Sequence, residues 1–167
     1  MRKVNESRLQ VFDSTITGPL GHIGAGGIEL VPGARKRAGK MDHDLKYLPR
    51  FAKHVSTIKY TPGMDREMIG ENIAQAGNVG IIFETPGSGA IPSSYVPILS
   101  AHAEKGFAVM LTSAATQSGI STGMVLHDEA AIQAYKSGVR TAGDMTTGAA
   151  SVKLMSVLGN SPNASLD

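Results

Sequence analysis

From Val55 onward the chain alternates between short apolar runs and stretches whose apolar residues recur at helical spacing. The run HVSTIKYTPG is rich in β-branched residues and closes on Pro62-Gly63, which predicts a strand ending in a turn. MDREMIGENIAQAG follows, with Met64, Met68, Ile69, Ile73 and Ala76 on one helical face and Gly77 as the stop. NVGIIFETPG predicts the second strand. Ser93 or Ser94 is placed to cap a helix reaching about Lys105, with Tyr95, Ile98, Leu99 and Ala103 on one face and Gly106 at its end. FAVMLTS predicts a third strand, and its nearly unbroken apolar character suits a strand covered on both faces. DEAAIQAYKSG and TTGAASVKLMSVLG predict two further helices, Asp144 being placed to cap the last.

The first part of the chain has a different pattern. Val4 to Phe12 is short and mixed, and GPLGHIGAGGIELVPG then sets two brief apolar runs around Ala25-Gly26-Gly27, which predicts a hairpin whose turn uses a glycine at positive φ. ARKRAGKMDHDLKYLPRFAKH, polar and basic with Pro49 near its end, predicts a long surface connection. The expected fold is therefore α/β, a small three-layer domain with a parallel sheet of about three or four strands flanked by helices, preceded by the hairpin and arm. The expected division is an arm region over residues 1–54 and an α/β domain over residues 55–167.

Composition narrows the functional classes. At 167 residues with 41% hydrophobic content the chain can bury one real core. Sixteen basic and fourteen acidic residues are interspersed and leave a formal charge of +2, so a broad field for nucleic acid is not expected. The absence of cysteine excludes a disulfide framework, a thiolate zinc site and a cysteine nucleophile, and suits a cytoplasmic protein. VNESRLQVF after Met1-Arg2-Lys3 has no apolar signal core, and no apolar run approaches the roughly 20 residues that span a bilayer. A soluble protein without membrane partners is expected.

In a parallel sheet, ligands bind beyond the carboxyl ends of the strands. Here those ends are Thr61-Pro62-Gly63, Glu84 to Ile91 and Thr112 to Gly119. The loop TPGSGAIPSS lacks both the Gly-Lys-Ser/Thr of a phosphate-binding loop and the third glycine of a dinucleotide fingerprint. It also fails as a nucleophile elbow, because Ser88 is flanked at plus and minus two by Pro86 and Ala90. A plain strand-to-helix turn explains it equally well. Ser113, Thr116 and Gln117 in TSAATQSGIS could hydrogen-bond a small polar ligand, although such residues also form turns and caps. His127-Asp128-Glu129 cannot converge on one ion from adjacent helical positions, and Asp128 and Glu129 fit a first helical turn. His22, His43, His54 and His102 show no metal spacing, and Arg35-Lys36-Arg37 reads as a solvated or paired basic run.

FDSTITGPLGHIGAGGIEL, ARKR, STIKYTPGMDREMI, EKGFAVMLTSAATQSG and SGVRTAGDMTTGAASVKLMSVLG together resemble the C-terminal domain of the bacterial-type L-asparaginase/glutaminase family. That family includes the amidase component of archaeal glutamyl-tRNA(Gln) amidotransferase. Gly143-Asp144-Met145-Thr146 leading into Val152-Lys153-Leu154 is the most specific segment. The resemblance implies a two-domain enzyme whose nucleophilic threonine lies in a Thr-Gly-Gly-Thr motif of the N-terminal domain, with a second threonine activated through a Thr-Asp segment and a lysine. None of these motifs occurs in this chain. It further implies that Gly87-Ser88-Gly89-Ala90 corresponds to the Gly-Asn-Gly-Asn loop that the periplasmic type lends to a neighbouring subunit. Ala90 cannot bind a substrate's ammonium as the asparagine does. Ala114 to Ile120 likewise replaces the cytoplasmic type's Gln-Cys-x-x-Gly-Arg-Val segment, without its arginine.

The expected role follows from the resemblance and the missing motifs together. The chain would be a small, non-nucleophilic subunit or domain of an asparaginase-like amidohydrolase, acting on a C–N amide bond with a partner chain that carries the catalytic threonines. The expected substrate- or partner-binding residues are Ser88, Gly89, Ser113, Thr116, Gln117 and Glu129, with no catalytic residue, metal or cofactor on this chain. A hetero- or homo-oligomer is expected, and the hairpin and arm are expected to pack on another chain. A natural split subunit and a fragment of a longer enzyme fit equally. The alternative is a stand-alone small-ligand-binding or scaffold domain without hydrolytic activity; a nucleotide-binding domain is the third reading.

Overall fold

The computed structural model describes residues 2–3, 12–14, 18–33, 48–74, 77–115, 120 and 128–160. The chain forms two compact units, Met1–Tyr47 and Leu48–Asp167.

In the first unit, the short strands β1 (Arg2–Lys3) and β2 (Phe12–Asp13) pair antiparallel. β3 (Gly21–Gly24) and β4 (Gly27–Leu30) form the expected hairpin. Gly24 pairs with Gly27 around the turn Ala25-Gly26, and the positive φ of 109° falls on Gly27 at the start of the returning strand. The register puts Ile23 opposite Ile28, and Gly21 opposite Leu30, on one face. His22 and Glu29 oppose each other on the other face. A Cβ at Gly21 would come within 2.5 Å of the Glu29 carbonyl oxygen, so only glycine admits this close cross-strand approach. The apolar face is open: Ile23, Ile28 and Leu30 are 85%, 72% and 76% exposed.

The second unit is a four-stranded parallel sheet in sequential order: β5 (Val55–Lys59), β6 (Gly80–Thr85), β7 (Ala108–Ser113) and β8 (Arg140–Thr141). Helices α1 (Glu67–Ala74), α2 (Val96–Ala103) and α3 (Glu129–Lys136) connect successive strands, and α4 (Thr147–Asn160) follows the last. Two apolar clusters make the layers. Ile81, Phe83, Val109 and Leu111 meet Ile69 and Ile73 of α1, Leu99 of α2 and Ala134 of α3 on one face. Ile82, Ala108 and Met110 meet Ala150 and Leu154 of α4 on the other. The period of two along β6 and β7 thus divides their side chains between two cores, which is why both read as unbroken apolar runs.

Several local expectations shift. Met68 is 52% exposed and the buried stripe of α1 is Ile69 and Ile73; Ala76 lies outside the described residues. Neither Ser93 nor Ser94 caps a helix through its side chain. The chain enters α2 through a single 3₁₀ turn, Ser93–Tyr95, with Pro97 in the first turn of α2, where its missing N–H costs no helical bond. The last helix begins later than a cap at Asp144 implies, at Thr147, and the Thr146 hydroxyl accepts from the Ala149 N–H at 3.3 Å. Asp128 does cap α3, its carboxylate accepting from Ala130 and Ala131.

Residues Leu48–His54 have neither helical nor strand structure but are bound to α4. The Ala52 N–H donates to the Met155 carbonyl at 2.8 Å, and the Asn160 amide donates to the Arg50 carbonyl at 2.8 Å. Gly159 permits the approach, since a Cβ there would lie 2.6 Å from the Ala52 nitrogen.

Candidate functional site at the carboxyl ends of the strands

The loop after β6 is held from below by β7. Thr85, 1% exposed, donates its hydroxyl to the Thr112 carbonyl at 2.9 Å, and the Ala114 N–H returns a bond to the Thr85 carbonyl at 2.9 Å. The Ser113 hydroxyl donates to the Gly87 carbonyl and accepts from the Ala115 N–H at 2.8 Å. Gly89 closes a turn onto Pro86, and its position is enforced twice. Its φ is +109°, and a Cβ there would meet Ile120 at 3.0 Å. Ile120 in turn donates its N–H to the Gly143 carbonyl at 2.8 Å, which ties the segments after β6, β7 and β8 into one rim.

Of the residues expected to face a ligand, this rim contains Ser88, Gly89 and Ser113. Ser113 is buried and its hydroxyl is engaged with the loop backbone. Ser88 is half-buried at the loop's crest and makes no hydrogen bond among the described residues. Thr116 and Gln117 lie outside the described residues. Glu129 is exposed in the first turn of α3, and no hydrogen bond or ion pair among the described residues joins it to Ser88 or Ser113.

A second polar group occupies the other face of the same strand ends, where sequence reasoning chose no candidate. Lys59, Glu84 and Thr112 share one register row across β5, β6 and β7. They point toward α4, in phase with Thr57 and Ile82. The Thr147 hydroxyl, at the first residue of α4, donates to Glu84 Oε2 at 2.5 Å and lies 3.0 Å from the Thr112 hydroxyl. Lys59 Nζ lies 3.5 Å from Glu84 Oε1. The legible signal was a carboxylate ending an otherwise apolar strand, together with the Thr146-Thr147 pair opening the last helix.

Tyr95 links the first face to the segment between β5 and α1. Its hydroxyl donates to the Met64 carbonyl, and its ring stacks edge-on against Tyr60 at 5.6 Å. Burial raises its pKa above the ordinary tyrosine value, so the phenol remains a proton donor. An open groove of ≈ 620 Å³ beside β5 is lined by Thr57, Lys59, Met64, Met68 and Asn72, and includes none of the residues expected to face a ligand. Among the described residues no group of three or more His, Asp or Glu is placed to hold a metal ion, and no helix is long and apolar enough to cross a membrane.

The second unit is thus a parallel α/β domain with a hydroxyl- and glycine-rich rim at the carboxyl ends of its strands, the end at which ligands of such sheets bind. The chain belongs to the family of the glutaminase/asparaginase C-terminal domain, whose model matches residues 54–165. It is 31% identical over 170 residues to the D component of glutamyl-tRNA(Gln) amidotransferase from Pyrococcus abyssi, covering 98% of this chain and 36% of that protein. The same component from Pyrococcus horikoshii is 29% identical over 161 residues, covering 96% and 35%. Among solved structures, the thermostable L-asparaginase of Thermococcus kodakarensis superposes with a TM-score of 0.77 at 26% identity, covering 96% of this chain and 47% of that one. L-asparaginase I of Vibrio cholerae gives 0.79 at 27% identity, covering 98% and 47%. The chain thus spans about a third of these curated relatives and about half of these solved chains.

Proposed function

We propose that this chain is the non-nucleophilic part of an asparaginase-like amidohydrolase, completing the pocket and the oligomer interface of a partner chain that carries the catalytic threonines. The observation that supports it is the match of a glutaminase/asparaginase C-terminal domain to residues 54–165. In this reading the partner's threonine attacks the amide carbonyl, ammonia leaves, and water hydrolyses the acyl-enzyme. The rim formed by Gly87, Ser88 and Gly89 faces the partner, with the Ser88 hydroxyl offered to substrate and Ser113 holding the loop's shape. Thr116, Gln117 and Glu129 belong to the same proposed surface.

The open hairpin face fits this assignment. Ile23, Ile28 and Leu30 present apolar surface on a two-stranded ribbon, and a two-stranded hairpin is marginally stable in water without a covering layer. The substrate class is a small amide, and Ala90 stands where the family's loop has the asparagine that binds a substrate's ammonium. The test is the native mass of the protein isolated from its own source, with identification of every chain that accompanies it. A stoichiometric chain bearing Thr-Gly-Gly-Thr and Thr-Asp segments is the expected result. A homo-oligomer that hydrolyses no amide would overturn the proposal.

A further inference from the structure

The parallel sheet runs in the order β5-β6-β7-β8, so among the described residues β5 has a strand neighbour on one side only. The direction of its backbone groups is fixed by its two ends. The Tyr60 N–H donates to the Glu84 carbonyl at 2.9 Å, and the His54 carbonyl accepts from the Val79 N–H at 3.1 Å. Alternate residues of a parallel strand bond the same neighbour, so Ser56 and Ile58 also face β6, and the N–H and C=O groups of Val55, Thr57 and Lys59 face outward. An edge of this kind is normally guarded by a proline, a bulge or a projecting charge. Val55–Lys59 contains no proline, its register with β6 is unbroken, and Lys59 turns back over the sheet to Glu84 Oε1 at 3.5 Å. There is open space beside it: the groove of ≈ 620 Å³ is lined by Thr57, Ile58 and Lys59 of the strand and by Met64, Met68 and Asn72.

We infer that this edge pairs with the same edge of a second copy of the chain, joining two four-stranded sheets into one across a twofold axis at Thr57. The strand is self-complementary. In an antiparallel pairing centred on Thr57, Thr57 opposes Thr57, and Val55 opposes Lys59 on both sides of the axis, so every outward N–H and C=O of the strand meets a partner. A shift of one residue would set outward groups against inward ones and lose the bonds, and a shift of two would leave one end of the strand unpaired. No like charges are opposed in the centred register, and threonine opposite threonine is a favourable cross-strand pair. Met68, 52% exposed, and Met64 border the groove and supply adaptable apolar contacts beside the ladder. The pairing is independent of which chain carries the catalytic threonines.

The test is the native mass of the full chain by sedimentation over a concentration series reaching about 1 mM, together with amide hydrogen exchange read residue by residue. A dimer is expected. The amides of Val55, Thr57 and Lys59 should gain protection as concentration rises, while those of Ser56 and Ile58 should be protected throughout by β6. Thr57→Lys and Thr57→Glu each oppose like charges at the axis and should each weaken the dimer by about tenfold or more. Mixed in equal amounts, the two variants should restore it as a heterodimer. Thr57→Pro removes an outward N–H and none of the bonds to β6, so it should abolish the pairing while the sheet persists. The charge-reversal pair decides the matter even if Thr57→Pro folds poorly. A monomer at every concentration, a dimer that neither charge variant weakens, or a mixture no tighter than its components would each overturn the pairing. Protection of the outward amides in a monomer would also overturn it, because the edge would then be covered by the chain itself. A dimer lost in Ile23→Ser but untouched by the charge variants would place the interface on the hairpin instead.

Discussion

Ser113 and Gly87 are 26 residues apart and are joined by one hydrogen bond, the serine hydroxyl at the end of β7 donating to the glycine carbonyl in the loop after β6. The same hydroxyl accepts from the Ala115 N–H. A single buried side chain therefore sets the relative height of two loops on the rim proposed to meet the substrate.

Ser113→Ala would leave the Gly87 carbonyl and the Ala115 N–H without this partner. The expected loss is about 1–3 kcal/mol of unfolding free energy, measured by urea denaturation. In the assembled enzyme, the same variant should raise KM more than it lowers kcat, because a loosened loop affects substrate placement before chemistry.

Gly89 is restricted by conformation and by space together. Gly89→Ala must carry a side chain at a φ of +109° and push against Ile120 at 3.0 Å. The expected destabilisation is about 1–3 kcal/mol. Ile120→Ala removes all three crowding carbons, but the backbone strain persists, so Gly89→Ala should cost less in that background without becoming neutral. Full recovery would show that sterics alone excluded alanine.

Ser100 provides a test with the opposite sign. It is 8% exposed in α2, and its hydroxyl has no hydrogen-bond partner among the described residues. Ser100→Ala removes a desolvated group and improves helix propensity, so stability should rise by about 1 kcal/mol. A drop in thermal midpoint would reveal a partner for that hydroxyl.

Leu154 tests the attachment of α4. It is 0% exposed and packs with Ile82, Met110 and Ala150. Leu154→Ala should cost about 2–5 kcal/mol, and it should also disturb the Thr147–Glu84 bond, because α4 carries both Leu154 and Thr147.

The alternation of strand and helix after Val55 was legible because each element keeps one period over its whole length. Ala108 to Leu111 read as a strand covered on both faces, and two separate cores do cover it. Helix starts were less legible. Ser93 resembles a cap, but Pro92 and Pro97 frame a 3₁₀ entrance that needs no side-chain acceptor, and Thr146 takes the place expected for Asp144 because the helix begins later. Leu48–His54 looked like an arm because its cohesion comes from backbone bonds to Met155 and Asn160, which leave no apolar period to read.

The strand ends themselves could be named from sequence, yet their roles could not. Ser113 reads as a free hydroxyl until its bond to Gly87 is known. The Glu84 cluster joins residues 63 and 35 positions apart, Glu84 with Thr147 and Thr112 with Thr147. No local spacing encodes such a pairing; it arises only when the sheet register aligns Lys59, Glu84 and Thr112 and α4 lands beside them.

The most direct test of the central claim is ammonia release from L-asparagine, L-glutamine and a panel of small amides. It should be measured for this chain alone, for a chain carrying the Thr-Gly-Gly-Thr and Thr-Asp segments alone, and for the two mixed in equal amounts. The account predicts no release by this chain alone and hydrolysis of at least one amide by the mixture, at a rate above that of the threonine-bearing chain. Hydrolysis by this chain alone, or a mixture no faster than the threonine-bearing chain, would contradict it.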